Sequence, residues 1–127
     1  MYSITIDSNT KIVNVVLCGF MGKEELISFT TELNSLLSQL KEHEYSMCAD
    51  FGRLDPIPQD SFPFFIEASG NSMLIMKKLA AVHHRTVTEM QMRRIESIAK
   101  DRNNISNDKV FHCKTLREAM TYLNCER

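Results

Sequence analysis

The chain is expected to fold as a single α/β domain spanning residues 1–127, built on a mixed sheet of about five strands with helices packed on it. Three observations predict this. The first eighteen or so residues carry two extended segments around a polar turn. The segments that follow alternate between helical spacing of apolar residues and short apolar runs. No repeat, low-complexity tract or Pro/Gly/Ser-rich linker divides the sequence.

Tyr2, Ile4 and Ile6 alternate with Ser3, Thr5 and Asp7, the period of a half-buried strand. Asp7-Ser8-Asn9-Thr10 is a turn cluster, and Lys11–Cys18 reads as a second strand, so the two should pair as an antiparallel hairpin. After Gly22, acids at Glu24 and Glu25 favour a helix start, and Leu26, Phe29, Leu33, Leu36, Leu37 and Leu40 share one face. Tyr45–Phe51 is the third strand, reached by a crossover that should be right-handed and parallel. Gly52, Pro56 and Pro58 are expected to end regular structure there. A helix should open near Ser61 with Pro63 in its first turn, while Gly70-Asn71 is expected to end or interrupt it, leaving Ser72–Met76 as a separate turn. Leu79–His83 is the fourth strand. Thr86-Val87-Thr88-Glu89 has the form of a capping box with Thr86 as N-cap, opening a helix that directs Val87, Met90, Ile95, Ile98 and Ala99 inward. Val110–Cys113 is the fifth strand, and Thr115-Leu116-Arg117-Glu118 repeats the box before a last helix packing Leu116, Ala119, Met120 and Leu123. The element order is ββαβαβαβα.

Composition narrows the class. Hydrophobic residues make up 43% and charged residues 24%, ordinary for a chain that buries one core. A net charge of −1 gives no global attraction to nucleic acid or anionic membrane, so no nucleic-acid partner is expected. No run approaches the ~20 apolar residues of a membrane span, and no basic segment followed by an apolar one opens the chain. The four cysteines, Cys18, Cys48, Cys113 and Cys125, form no C-x-x-C pair. Three of them lie in apolar runs, where a thiol behaves as a small hydrophobe. A reduced, cytoplasmic protein with neither metal nor cofactor is the expectation.

This element order, together with Asp50 at a strand end, Asp60-Ser61 at a helix start and the closing FHCKTLREAMTYL, resembles the STAS domains of the SpoIIAA-like (anti-sigma factor antagonist-like) superfamily. The resemblance covers nearly the whole chain and implies a SpoIIAA-like fold and a bacterial regulatory role. In that family an Asp-Ser-Ser-Gly motif opens a helix, and its second serine accepts a phosphate that switches partner binding. Here Asp60 and Ser61 match the first two positions, but Phe62 stands at the acceptor position and Pro63 replaces the glycine. The closing segment is more like a divergent group of the superfamily whose fold is shared with lipid-carrier domains.

In open parallel sheets, ligands bind beyond the carboxyl ends of the strands. Three loops should converge there, 50–61, 83–86 and 112–115. Ser61 reads first as an N-cap, worth about 1 kcal/mol. A phosphoacceptor role is its second reading, because a phosphate there would meet free amides and the helix dipole. His83, His84 and Arg85 form the densest group of titratable nitrogen, fit for an anion at a helix start or simply for surface polarity. His83 and His84 point to opposite faces of an extended segment, and so do His112 and Cys113, so neither pair makes a metal site or a catalytic dyad. Asp50 and Asp55 could be read as paired carboxylates, but Asp55 before Pro56 is a common turn signal, and that structural reading comes first. Phe62, Phe64, Phe65 and Ile66 are denser than one helix face buries, beside Met73–Met76; most of them are expected in the core, and those left exposed would mark a partner surface, a ligand groove or a dimer contact.

No catalytic constellation is visible in the sequence. The functional expectation is a non-enzymatic regulatory or protein-interaction module acting through residues 52–76, by a protein partner or self-association. Asp50, Asp60, Phe62, Phe64, Phe65, His83, His84 and Arg85 are its candidate binding residues. The alternative is a small-molecule or lipid-binding domain with an apolar pocket under Phe62–Met76. A phosphorylatable antagonist using Ser61 ranks below both.

Overall fold

A computed structural model describes residues 1–125. The elements run β1 (Tyr2–Asp7), β2 (Ile12–Gly19), α1 (Lys23–Gln39), β3 (Ser46–Leu54), a 3-10 turn (Gln59–Ser61), α2 (Phe62–Ile75), β4 (Leu79–Val82), α3 (Thr86–Arg102), β5 (Val110–Cys113) and α4 (Leu116–Leu123). The strands stand in sequence order β1-β2-β3-β4-β5. The β1–β2 hairpin is antiparallel, and every later pairing is parallel. The expected architecture and element order are therefore those of the molecule.

Because each crossover steps one strand further in the same direction, one handedness puts α1, α2 and α3 on a single face. Period-two alternation divides the strands accordingly. Val13, Val15, Leu17, Met47, Ala49, Phe51, Leu79 and Ala81 enter the core shared with these three helices. Ile12, Cys48, Ala80, Val82 and Cys113 face the other way, where Ala119 and Leu123 of α4 cover them. Cys48 is thus sealed between sheet and helix, and burial, with Asp50 as a lesser cause, pushes its thiol up to about 11.

Four expectations need correction. First, β3 does not stop at Phe51. Its ladder to β2 resumes after an irregularity between Val16 and Cys18, setting Cys18 opposite Arg53 and Gly19 opposite Leu54. Gly52 stays extended inside the strand, and its lack of a side chain admits the His84 ring, which a Cβ would meet at 2.7 Å. Regular structure yields only at Pro56 and Pro58.

Second, α2 is one helix. It passes through Gly70-Asn71 without a break because Gly70 lies against α3, where a Cβ would come within 2.6 Å of the Asn103 amide nitrogen. Asn71 Nδ2 donates to Asn34 Oδ1 at 2.9 Å, tying α2 to α1 on its other side. The glycine marks a close helix approach and not an end.

Third, the box at Thr86 does not form. Extended Arg85 holds the cap position with no side-chain cap, and Glu89 turns to Arg93 at 3.0 Å. The buried face of α3 is Thr88, Met92, Ile95 and Ala99, the three- and four-residue steps of one stripe. Val87 and Met90 lie outside that phase and stand 54% and 65% exposed, so apolar character there misleads where spacing does not.

Fourth, Leu116 is exposed, whereas Ala119 and Leu123 pack inward as expected. The cap at Thr115 is real: Glu118 N–H donates to Thr115 Oγ1 at 3.1 Å, while Glu118 Oε1 reaches back past the cap to accept from Lys114 N–H at 3.3 Å.

Candidate functional site

The candidate residues gather at the carboxyl edge of β3, β4 and β5, but in two separate arrangements. On the surface, the 55–61 segment lies against the first turns of α3. Gln91 clasps it through both ends of its amide: Ile57 N–H donates to Gln91 Oε1 at 2.8 Å, and Gln91 Nε2 donates to Ile57 O at 3.0 Å. Arg85 adds an exposed ion pair to Asp55 at 3.0 Å. Side by side across this junction lie Ile57, Phe62, Val87, Met90 and Arg94, a shallow depression with apolar walls and a basic rim. The clasp satisfies a loop amide and carbonyl that prolines leave without ladder partners, and so fixes the loop in place.

The second arrangement is buried. His83 follows β4 in phase with Ala81 and is 0% exposed, so surface polarity is not its role. Its Nε2 lies 2.9 Å from Nδ1 of His112, which stands opposite Ala81 in β5. The two rings stack with centroids 5.1 Å apart, and Phe51 flanks His83 at 5.6 Å. His112 Nε2 in turn sits 2.7 Å from Glu96 Oε2 on α3, with the side chains only 4% and 16% exposed. The carboxylate oxygen is at contact distance but off the ring N–H axis, so attraction between charge and dipole dominates over an aligned hydrogen bond. His83 Nδ1 has no partner. Burial first, and His112 second, hold the His83 imidazole well below its ordinary range, at about 4. It is neutral at pH 7.

The remaining candidates fall around these two clusters. Asp50, half-buried, accepts Gly52 N–H at 2.9 Å, which serves its own strand. His84 lies over Gly52 on the opposite face from His83, as strand alternation requires. Asp60 is exposed in the 3-10 turn. Ser61 precedes α2 but makes no side-chain capping bond, contrary to its first reading, and it is only 6% exposed. A kinase would have to open this turn to reach the hydroxyl. Phe65 is in the core, while Phe62 and Phe64 are half-buried against it.

Beneath α2 the sheet and helices leave a cavity of about 70 Å³, lined among others by Phe29, Leu33, Phe51, Phe65, Met73 and Met92. Glu96 also borders it. Among the described residues no group of three or more His, Cys, Asp and Glu is placed to hold a metal ion.

Sequence reasoning missed His112 and Glu96 as partners of His83. The signal for His112 was present, since it shares the inward phase of Val110 in β5. Glu96 gave less, a charged residue beside the inward Ile95. It also missed Gln91, whose role depends on where the proline-rich loop comes to lie.

No protein-family model and no curated protein matches the chain. No helix among the described residues is long and apolar enough to cross a membrane. Among solved structures, the chain is similar to an uncharacterised protein of the DUF3478 family from Shewanella loihica PV-4, with a SpoIIAA-like fold. The TM-score is 0.69 at 17% identity, over 96% of this chain and 93% of that one. Likeness over that length establishes the architecture: the chain has a SpoIIAA-like fold.

Proposed function

We propose that the chain is a non-enzymatic interaction module that binds a protein partner, or a second copy of itself, through the junction of the 55–61 loop, the start of α2 and the first turns of α3. The observation that carries this reading is the exposure of Val87 and Met90, 54% and 65%, beside half-buried Phe62. Apolar side chains grouped in this way on a helix face that the core does not use are a recurrent feature of contact surfaces. The Gln91 clasp supports it further. A loop already fixed by two hydrogen bonds loses little conformational freedom on binding, which favours affinity.

The test is a Val87→Asp/Met90→Asp variant, compared with the native chain by sedimentation over a concentration series and by quantitative co-purification from its host. Both positions are exposed, so circular dichroism and thermal stability should be unchanged. The native chain should self-associate or retain a defined partner, and the variant should lose it. Identical behaviour of the two proteins would sink the reading.

A second reading rests on the cavity under α2, which would take a small apolar ligand. Its size limits that ligand. About 70 Å³ is well below the ~300 Å³ at which drug-sized sites begin, so a lipid chain would require the helices to part. Native mass spectrometry of the protein from its host tests this reading, for which a retained small molecule is the expected result.

A further inference from the structure

We infer that Glu96, His112 and His83 form a proton-sensitive latch, which pins α3 to the carboxyl ends of β4 and β5 near neutral pH and releases it on acidification. The three residues come from three elements and meet inside the core: His83 at 0% exposure, the His112 side chain at 4% and Glu96 at 16%. They are the charged or titratable groups that join α3 to this edge of the sheet from within.

Proton placement follows from the distances. Two lone pairs at 2.7 Å would repel, so His112 Nε2 carries a proton and turns its N–H dipole toward the Glu96 carboxylate without an aligned hydrogen bond. His112 Nδ1 then accepts from His83 Nε2–H at 2.9 Å, and the bare lone pair is left on His83 Nδ1. The opposite arrangement, with a charged His112 donating to His83, would leave a buried N–H at that same place. An orphaned donor is the worse defect of the two. The relay therefore ends on a bare, buried lone pair at His83 Nδ1, where a proton would find no acceptor for its new N–H.

An added proton goes to a bare lone pair of the relay. On His83 Nδ1 it makes a buried imidazolium whose new N–H has no acceptor. That weakens the tie, and it is relieved when α3 lifts and the ring reaches water. The surrounding charges do not reverse this. From α3, Glu89 would favour a charged His83, but Arg93 pairs with it at 3.0 Å and opposes it. Lys114, from the β5–α4 loop, and His112 itself also oppose the charge, while β3 contributes Phe51, which has none. The low position of the His83 titration, about 4 against an ordinary 6.5, agrees with the geometry.

The latch operates whether or not the exposed face of α3 binds a partner, and the experiment needs no partner. Amide hydrogen exchange of the full chain is measured from pH 7 to pH 5 and corrected for intrinsic rates. Protection of α3 should fall by roughly 20-fold, while those amides of the β1–β2 hairpin and α1 that exchange by local opening, with His83 still buried, keep theirs. In a His83→Phe variant, α3 protection should become insensitive to pH. Should that variant not fold, the His83 Cε1–H resonance of the native chain replaces it, which should show no protonation in the closed form above about pH 5. Unchanged α3 protection, loss spread evenly over all elements, or an ordinary His83 titration with α3 still protected would each overturn the latch.

Discussion

Gly70 of α2 and Asn103 at the end of α3 occupy the same space: a Cβ on the glycine would fall 2.6 Å from the asparagine Nδ2. That amide is already engaged, donating to Ala99 O at 2.8 Å. Ala99 Cβ is the next neighbour at an ordinary 3.8 Å, so the asparagine alone forbids a methyl group.

A double-mutant cycle should expose this competition. Gly70→Ala gains about 1 kcal/mol of helix propensity but displaces Asn103 and its hydrogen bond, worth a similar amount. The single variant should therefore lie within about 0.5 kcal/mol of the native chain. In an Asn103→Ala background the same change should stabilise by about 1 kcal/mol. Urea denaturation of the four proteins measures the coupling, and additive effects would show that the two residues do not compete.

The caps make a second set. Thr115 accepts from Glu118 N–H at 3.1 Å, so Thr115→Ala should cost about 1 kcal/mol. Thr86 and Ser61 stand at helix starts without a capping bond, and alanine at either should cost less than half as much. Equal losses at all three sites, read from thermal melts, would contradict these assignments.

Thiol labelling gives a third prediction. Cys125 is exposed, whereas Cys48 and Cys113 lie between the sheet and α4. Burial raises both of those thiols, Cys48 to about 11, so at pH 8 neither presents much thiolate. A maleimide or disulfide reagent should modify Cys125 within minutes. Cys48 and Cys113 should react only on unfolding, at a rate that denaturant controls.

The fold was legible because its signals are local and redundant. The hairpin alternates through Tyr2–Ile6, α1 has five apolar residues on one face, and the Thr115 cap and its partner Glu118 lie within four residues. The misses share a different cause. Gly52 and Gly70 look like breakers in sequence and are contact points in space, since the ring of His84 and the amide of Asn103 arrive from other elements. Val87 and Met90 look like core by composition, whereas the phase of Thr88, Met92, Ile95 and Ala99 decides the buried face. The site suffered most. His83, Glu96 and His112 are separated by thirteen and sixteen residues, and only the pairing of β4 with β5 under α3 brings them together.

That juxtaposition has a measurable signature in stability. In the unfolded chain His83 takes up a proton near its ordinary 6.5, while in the folded chain it resists until about 4. The unfolded state thus binds more protons between those limits, and stability must fall as pH falls through them. Above pH 6.5 the effect vanishes; by pH 5 it should amount to about 2 kcal/mol, and it levels off below pH 4. Surface carboxylates add their own dependence at the acid end, so the quantity to measure is the difference between the native chain and His83→Phe. Phenylalanine keeps the aromatic contact with Phe51 and removes the titration, at the cost of leaving His112 Nδ1 without its donor. The variant should be the less stable protein at pH 7 and should close the gap by about 2 kcal/mol at pH 5. A gap that stays constant over this range would mean that His83 titrates alike in both states, and its burial beside His112 would then have no electrostatic consequence.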